Sequence, residues 1–198
     1  YDSISRILDS LKRISIILID LCQDIWLYIS LNYFKLKIGQ DEVGSSTMPH
    51  KVNPINFENA EGNFKLCSNL MQFLSAELPV SRLQRDLTDS TLTRNMGSVF
   101  GYFLIGIKSL LTGMDKLDIN CDVLKNDLVN NPVVLAEPIQ TILRREGYKN
   151  PYEKLKSLTQ NNNITAKDIE TFINSLDITE EVKKELKSIN VFNYIGKN

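Results

Sequence analysis

The chain is poor in the residues that build metal sites and disulfide frameworks. It has a single histidine, His50, and three cysteines, Cys22, Cys67 and Cys121, none of them in a C-x-x-C spacing. That set is too small for a zinc site or a pattern of disulfides. We therefore expect no metal, and we expect three buried, reduced thiols, which is typical of a cytoplasmic protein.

The chain also lacks an excess of charge of one sign. Its 23 basic and 24 acidic residues leave a formal net charge of −1. Without a broad positive field, the chain is not expected to bind nucleic acid or an anionic membrane surface. A local pocket for one small anionic ligand remains compatible with this balance.

No long apolar run is free of charge. The most apolar stretch, Ile14–Leu31, contains Asp20 and Asp24, and two carboxylates at the centre of a bilayer would be very unfavourable. The stretch therefore predicts a buried bundle helix and no membrane span. The chain shows no signal-peptide pattern and begins at Tyr1 inside a helical pattern, so we expect a fragment of a longer protein.

Apolar spacing of three and four residues predicts an all-α fold, and no strand alternation persists. Three long helices are predicted at Ser3–Phe34, Ile55–Glu77 and Thr91–Met114, and the four glycines of the third indicate close approach to a packed helix. Short helices follow at Cys121–Val129, Pro138–Glu146, Pro151–Leu158, Ala166–Ser175 and Glu180–Ser188, with capping signals at Thr165, Thr179 and Gly147. We place a domain boundary near residue 116, between a long-helix domain (1–116) and a small helical domain (117–198).

One stretch, "EVGSSTMPHKVNPINFENAEGN" from Glu42 to Asn63, differs from everything around it. Its glycine, prolines and polar residues predict a loop, 42–54, that leads into the second long helix. Backbone amides, hydroxyls and a lysine near a helix N-terminus suit a carboxylate or a phosphate. A polar surface loop that binds no ligand explains the composition of this segment equally well. A phosphate-binding P-loop and a Ser-His-Asp triad do not fit the spacing.

The segment "GSSTMPHKVNP" resembles the signature loop of the fumarase/aspartase superfamily, whose members eliminate fumarate from succinyl-containing substrates. "RDLTDSTLTRNMG" and "LAEPIQTILRREGYKNPYEKLKSLT" are similar to the adenylosuccinate lyase family within it. The likeness runs from the first apolar helix to "NYIG" near the end of the chain. It implies β-elimination by general base and acid catalysis, giving fumarate and AMP from adenylosuccinate, and the corresponding cleavage of the succinylated aminoimidazole carboxamide nucleotide in purine biosynthesis.

The resemblance also implies site residues. Ser45 matches the serine that acts as general base, and Ser46 matches a substrate contact beside it. Lys51 and Asn53 match the groups that stabilise the charge of the carbanion intermediate.

Four further positions match substrate contacts of the family: Asn59, Arg85, Ser90 and Arg94. Ser90 and Arg94 are four residues apart, so one helix could present both to a phosphate. Solvated ion pairs with Asp86 or Asp89 are the alternative explanation for the two arginines.

The family's general acid is a histidine in a Thr-Ser-His context that this chain lacks. The 198 residues alone are therefore expected to be inactive. The resemblance implies a homotetramer with active sites shared between subunits, and no metal or organic cofactor. Two alternatives stay open: another lyase of the superfamily, such as argininosuccinate lyase or fumarase, and a non-catalytic helical module for oligomerisation.

Overall fold

The computed structural model describes residues 1–37, 53–83, 86–159 and 164–196. The chain divides into two compact units, Tyr1–Asn120 and Cys121–Asn198. The division falls four residues after the boundary that we predicted near residue 116, because a short strand following the third long helix belongs to the first unit.

The first unit is built on three long helices. They are α1 (Asp2–Ser30), α2 (Ile55–Glu77) and α4 (Met96–Asp115), and a short helix, α3 (Thr88–Thr93), precedes the last of them. The predicted bounds of α2 are confirmed. The single predicted helix Thr91–Met114 is wrong in one respect, since Arg94 and Asn95 separate α3 from α4.

The helix α2 lies between α1 and α4 and runs antiparallel to both. Near the start of α2, the indole of Trp26 donates to Glu58 Oε1 at 3.1 Å, and near its end Ser75 Oγ donates to Asp9 Oδ1 at 2.9 Å. The buried face of α2 supplies half of the buried apolar residues in the core of this unit. Its buried residues are Phe57, Ala60, Phe64, Cys67, Met71 and Leu74.

Two glycines of α4 let the aromatic rings of α2 approach closely. A Cβ atom added at Gly106 would lie 2.7 Å from Phe64 Cε1, and one added at Gly113 would lie 2.9 Å from Phe57 Cζ. Gly97 and Gly101 meet nothing within 4 Å among the described residues. The predicted close approach is therefore confirmed at two of the four glycines.

We expect Gly106→Ala to lower the free energy of unfolding by about 1–3 kcal/mol, because the added methyl group overpacks the core against Phe64. Gly97→Ala is the matched control. It should be neutral or stabilising by up to about 1 kcal/mol, since alanine is the better helix former and the site is open. Urea denaturation followed by circular dichroism measures both. Equal destabilisation by the two changes would contradict the packing described here.

A two-stranded ribbon was not predicted from the sequence. The strand β1 (Phe34–Leu36) pairs antiparallel with β2 (Leu117–Ile119), and Lys35 lies opposite Asp118. Each strand has only three residues, too few to show an alternating pattern. The ribbon also explains why α1 ends before the predicted Phe34, since the chain must turn to enter β1.

The second unit consists of short helices around its own core. They are α5 (Cys121–Asn130), a 3₁₀ turn (Pro132–Leu135), α6 (Ala136–Arg145), α7 (Pro151–Thr159), α8 (Ala166–Ser175) and α9 (Glu180–Ser188). The predicted caps are confirmed: Thr165 and Asp168 form a capping box, Thr179 Oγ1 accepts from Val182 N, and Gly147 has φ +69°. The core is formed by residues such as Ile139, Leu143 and Leu186.

The prediction of three buried thiols is right for two of them. Cys22 and Cys67 are buried, whereas Cys121 is exposed at the first turn of α5. Burial raises the pKa of the Cys22 thiol to about 11, with a smaller effect from Glu61. No cluster of potential metal ligands occurs within the described ranges.

The stretch Thr88–Asp115, which joins α3 and α4, is long and apolar enough to cross a bilayer by length and composition alone. Core helices of globular proteins meet the same criterion. Here α4 packs its glycines on the rings of α2. A single apolar helix of this kind is not evidence of a membrane span.

Candidate active site

The last turns of α4 and its C-cap residue, Lys116, anchor the chain on both sides of segment 38–52. On the entry side, Lys37 N donates to Lys116 O at 2.8 Å. On the exit side, Ser109 Oγ donates to Asn56 O at 2.8 Å, and Gly113 leaves room for the ring of Phe57. Both ends of the segment that contains Ser45, Ser46 and Lys51 are therefore attached to one end of the three-helix layer. Those three residues themselves lie outside the described residues, and so does Arg85.

Two of the predicted contacts lie at the start of α2. Asn53 is exposed just before the helix, and its carbonyl accepts from Ile55 N at 2.8 Å. Asn59 is exposed on the second turn, where its carbonyl and Oδ1 both accept from Asn63 Nδ2, at 2.9 and 3.2 Å. These bonds use the two oxygens of Asn59, so its side-chain Nδ2 can still donate to a ligand.

Two carboxylates that were not predicted as site residues lie near Asn59 on α2. Glu58 is held by the Trp26 indole, as described above, and Glu61 accepts from Gln23 Nε2 at 2.9 Å and pairs with Lys65. The hydrogen bond from Lys65, and then that from Gln23, lowers the pKa of Glu61. The only signal in the sequence that points to Glu58 as a site residue is its position in the first turn of the helix that follows the loop. This end of α2 thus combines amide donors with fixed negative charge.

The other described contacts, Ser90 and Arg94, lie on or next to α3. Ser90 Oγ donates to Leu87 O at 2.8 Å, and Arg94 is the exposed C-cap residue with helical backbone angles. A spacing of four residues in helical backbone places both on one side of this turn, and their contact with a substrate stays a prediction.

The ion-pair explanation for Arg94 finds no support within the described residues. Asp86 is bonded by Thr88 and pairs with Arg82, and Asp89 accepts from Tyr1 Oη at 2.6 Å. The hydrogen bonds from the Thr88 side chain and backbone lower the pKa of Asp86. Neither carboxylate pairs with Arg94 in the part of the chain that the structure describes.

The two groups of predicted contacts lie at opposite ends of α1. Glu58, next to Asn59, contacts Trp26, while Asp89, next to Ser90, contacts Tyr1. Tyr1 and Trp26 are separated by about 37 Å along the helix, at 1.5 Å per residue. One copy of the chain therefore cannot present Asn59 and Arg94 to the same small molecule.

Comparison with known proteins gives a consistent result. The family model described as adenylosuccinate lyase C-terminal matches residues 81–195, and a model described as lyase matches residues 1–69. The chain is 55% identical to the adenylosuccinate lyase of Dictyostelium discoideum over 99% of its length, and 51% identical to that of Escherichia coli K12 over all of it. It spans 43% of the length of each of these relatives.

Solved structures share the fold. A fumarate lyase:delta crystallin structure from Brucella melitensis, described as bound to cobalt, superposes with a TM-score of 0.64 over 95% of this chain and 40% of that one, at 18% identity. The native form of the same protein gives 0.62 over 93% of this chain and 40% of that one, at 19% identity. At this identity the likeness concerns the helical architecture alone. The sequence matches go further. From them we conclude that the chain belongs to the adenylosuccinate lyase family and corresponds to the C-terminal part of its members.

Proposed function

We propose that this chain supplies part of the active site of an adenylosuccinate lyase, which releases fumarate from adenylosuccinate and from the succinylated aminoimidazole carboxamide ribonucleotide. The observation that carries the proposal is the identity of 51–55% to adenylosuccinate lyases over essentially the whole chain. The signature segment "GSSTMPHKVNP" lies within that match. The setting would be cytoplasmic purine biosynthesis, without a metal or organic cofactor.

In this proposal Ser45 removes the proton from the carbon next to a substrate carboxylate. The resulting carbanion is delocalised into that carboxylate, and Lys51 and Asn53 stabilise the added negative charge. The C–N bond then breaks and fumarate leaves. Ser46 and Asn59 hold the succinyl part of the substrate.

Arg85, Ser90 and Arg94 are assigned to the nucleotide end of the substrate. The single histidine of the chain belongs to the signature loop, so the general acid that protonates the leaving nitrogen comes from outside these 198 residues. The 198 residues alone are accordingly expected not to release fumarate from adenylosuccinate.

The separation of the two groups of contacts supports a site that is shared between copies. Asn59 and Arg94 lie at opposite ends of α1, so a complete site needs one end of one copy beside the other end of a second copy. A closed, symmetric assembly brings such ends together repeatedly. This geometry favours the homotetramer that the family resemblance implies.

Exposed apolar stripes on the long helices supply a surface for that assembly. On α1, Ile7, Ile14, Leu21 and Tyr28 recur every seven residues and are 38–51% exposed, and Ile17 is 67% exposed. The helix α4 exposes Phe100, Leu104, Ile105, Leu111 and Met114. A repeat of seven is the pattern by which helices pack against other helices along their length.

We expect Ile17→Asp to prevent self-association, because it would place a charge in the centre of a helix-packed interface. Val129→Asp, at a similarly exposed β-branched residue on α5, is the matched control and should leave the assembly intact. Light scattering after size-exclusion chromatography gives the mass of each. The same mass for the parent and the Ile17 variant would mean that this stripe is not the interface.

The activity can be tested with a chimera. In it, this chain replaces the C-terminal 43% of the E. coli enzyme with which it aligns. Fumarate release is then measured with adenylosuccinate, argininosuccinate and malate as substrates. We expect release from adenylosuccinate only; release from one of the others would assign the chain to a sister lyase.

The non-catalytic alternative predicts a chimera that assembles but has no activity with any of the three substrates. It also predicts that AMP and fumarate leave the melting temperature of the chimera unchanged. A ligand that binds the folded state must raise that temperature. Both readouts are therefore needed before the module is called a scaffold.

A further inference from the structure

The ribbon of β1 and β2 is extended by one residue that bonds twice across it. Asn120 N donates to Tyr33 O at 2.9 Å, continuing the ladder beyond the three paired residues of each strand. The side chain of Asn120 then donates through Nδ2 to Asn32 O, also at 2.9 Å. Asn120 thus holds two consecutive carbonyls of the turn between α1 and β1.

Asn120 is buried to an unusual degree for a polar residue. It is only 6% exposed, and within the described ranges it is one of three buried polar residues. A buried amide is costly unless its hydrogen bonds are made. The bond to Asn32 O satisfies the donor and also satisfies a carbonyl that follows the end of a helix, where intrahelical donors are lacking.

The turn that Asn120 holds begins at the end of α1, which is closed by two backbone bonds of its own, from Asn32 N to Ile29 O at 3.0 Å and from Tyr33 N to Tyr28 O at 2.8 Å. Asn32 has φ +60°, in the left-handed region, where residues other than glycine are uncommon. The strand that follows leads directly into segment 38–52. In the described ranges β1 has a strand partner on one side only, which is β2. Phe34 and Leu36 of β1 also pack against the core of the first unit, so the hydrogen bonds of Asn120 act on the turn that precedes the strand.

The geometry points to Asn120 as a positioning residue for the elimination: by bonding Asn32 and Tyr33 it fixes the direction in which β1 delivers the segment that carries Ser45. This inference rests on the proposed function. It adds a residue that is distant in sequence from the signature loop and that does not touch the substrate. A base must lie within hydrogen-bond reach of the proton that it removes, so a shift of the stem should slow chemistry more than it weakens binding.

The test uses Asn120→Asp, which keeps the shape of the side chain but replaces the NH₂ donor by an oxygen facing the carbonyl of Asn32. Asn69→Asp is the matched control. Asn69 Nδ2 also donates to a backbone carbonyl, that of Lys65, at 2.7 Å, but the residue is exposed in the middle of α2. Both changes therefore remove an amide donor and add one negative charge.

Two measurements follow on each variant. In the active chimera we expect Asn120→Asp to lower kcat at least tenfold with less than a threefold change in KM, and Asn69→Asp to change neither. Hydrogen–deuterium exchange on the 198-residue chain itself should show faster exchange at residues 33–37 in the Asn120 variant and unchanged exchange in α2. This second readout does not need activity, so it tests the inference even if the chimera is inactive.

The outcomes separate the two proposals. An inactive parent chimera removes the proposed function, whereas an active one whose kcat is insensitive to Asn120→Asp removes the positioning role. Unchanged exchange at residues 33–37 also overturns it. Should the variant unfold, Lys35→Cys and Asp118→Cys are added, since opposite residues of an antiparallel pair are within disulfide range. Oxidation should then restore the fold and kcat; a folded, oxidised protein that stays slow would overturn the inference.

Discussion

A mixture of two inactive variants of the chimera, Asn59→Asp and Arg94→Ala, is expected to release fumarate although neither does so alone. Each change removes a proposed substrate contact, and each should lower kcat/KM about a hundredfold or more. Because the two positions lie at opposite ends of α1, a site that needs both must take them from different copies. Random mixing then leaves about a quarter of the sites with both native residues.

The control is a mixture of Asn59→Asp with Asn53→Asp. These residues lie at the same end of α2, so one copy supplies both and no mixed site is complete. The variants are co-expressed or exchanged in mild denaturant before the assay. Two results would contradict a site that is shared in this way. One is recovered fumarate release in the control mixture, and the other is no recovery in the mixture of Asn59→Asp with Arg94→Ala.

Replacement of Ser45 by alanine in the chimera is expected to lower kcat about a thousandfold, because a positioned general base contributes roughly 10²–10⁴ to the rate. Lys51→Met should have an effect of similar size, since it removes a charge that the carbanion needs. In both variants KM should change much less than kcat.

His50→Gln is the informative comparison for these two variants. His50 is the only histidine of the chain and lies five residues after Ser45 and one before Lys51. We expect His50→Gln to lower kcat less than tenfold. A large loss for His50→Gln together with an active Ser45→Ala would show that the base had been assigned to the wrong residue.

The helices of this chain could be predicted because their signals are local. The apolar spacing of α2 and the capping residues Thr165 and Thr179 are each determined by neighbours within a few positions. The break at Arg94–Asn95 was missed because the apolar pattern continues through it. At the break, Asn95 Nδ2 donates back to the carbonyls of Thr91 and Leu92 at 3.4 and 3.5 Å, and Arg94 and Asn95 keep helical backbone angles.

The features that depend on distant contacts could not be predicted. Nothing near Phe34 in the sequence indicates a strand, since its partner Ile119 comes 85 residues later. The chemistry of the signature loop came from a resemblance. The separation of Asn59 from Arg94 required the antiparallel arrangement of the helices. Exposure of Cys121 likewise depends on packing that its own neighbours do not determine.

The attachment of segment 38–52 at both sides to the last turns of α4 has a consequence for the freedom of its sequence. Its ends are already held together by Lys37 on one side and by Asn56 and Phe57 on the other. The entropy of closing such a segment changes by only about 0.6 kcal/mol when its length doubles. The length of the eighteen residues between Lys37 and Asn56 is therefore only a weak constraint on folding. The glycines, serines, histidine and lysine among them can be selected for chemistry at little cost in loop-closure entropy.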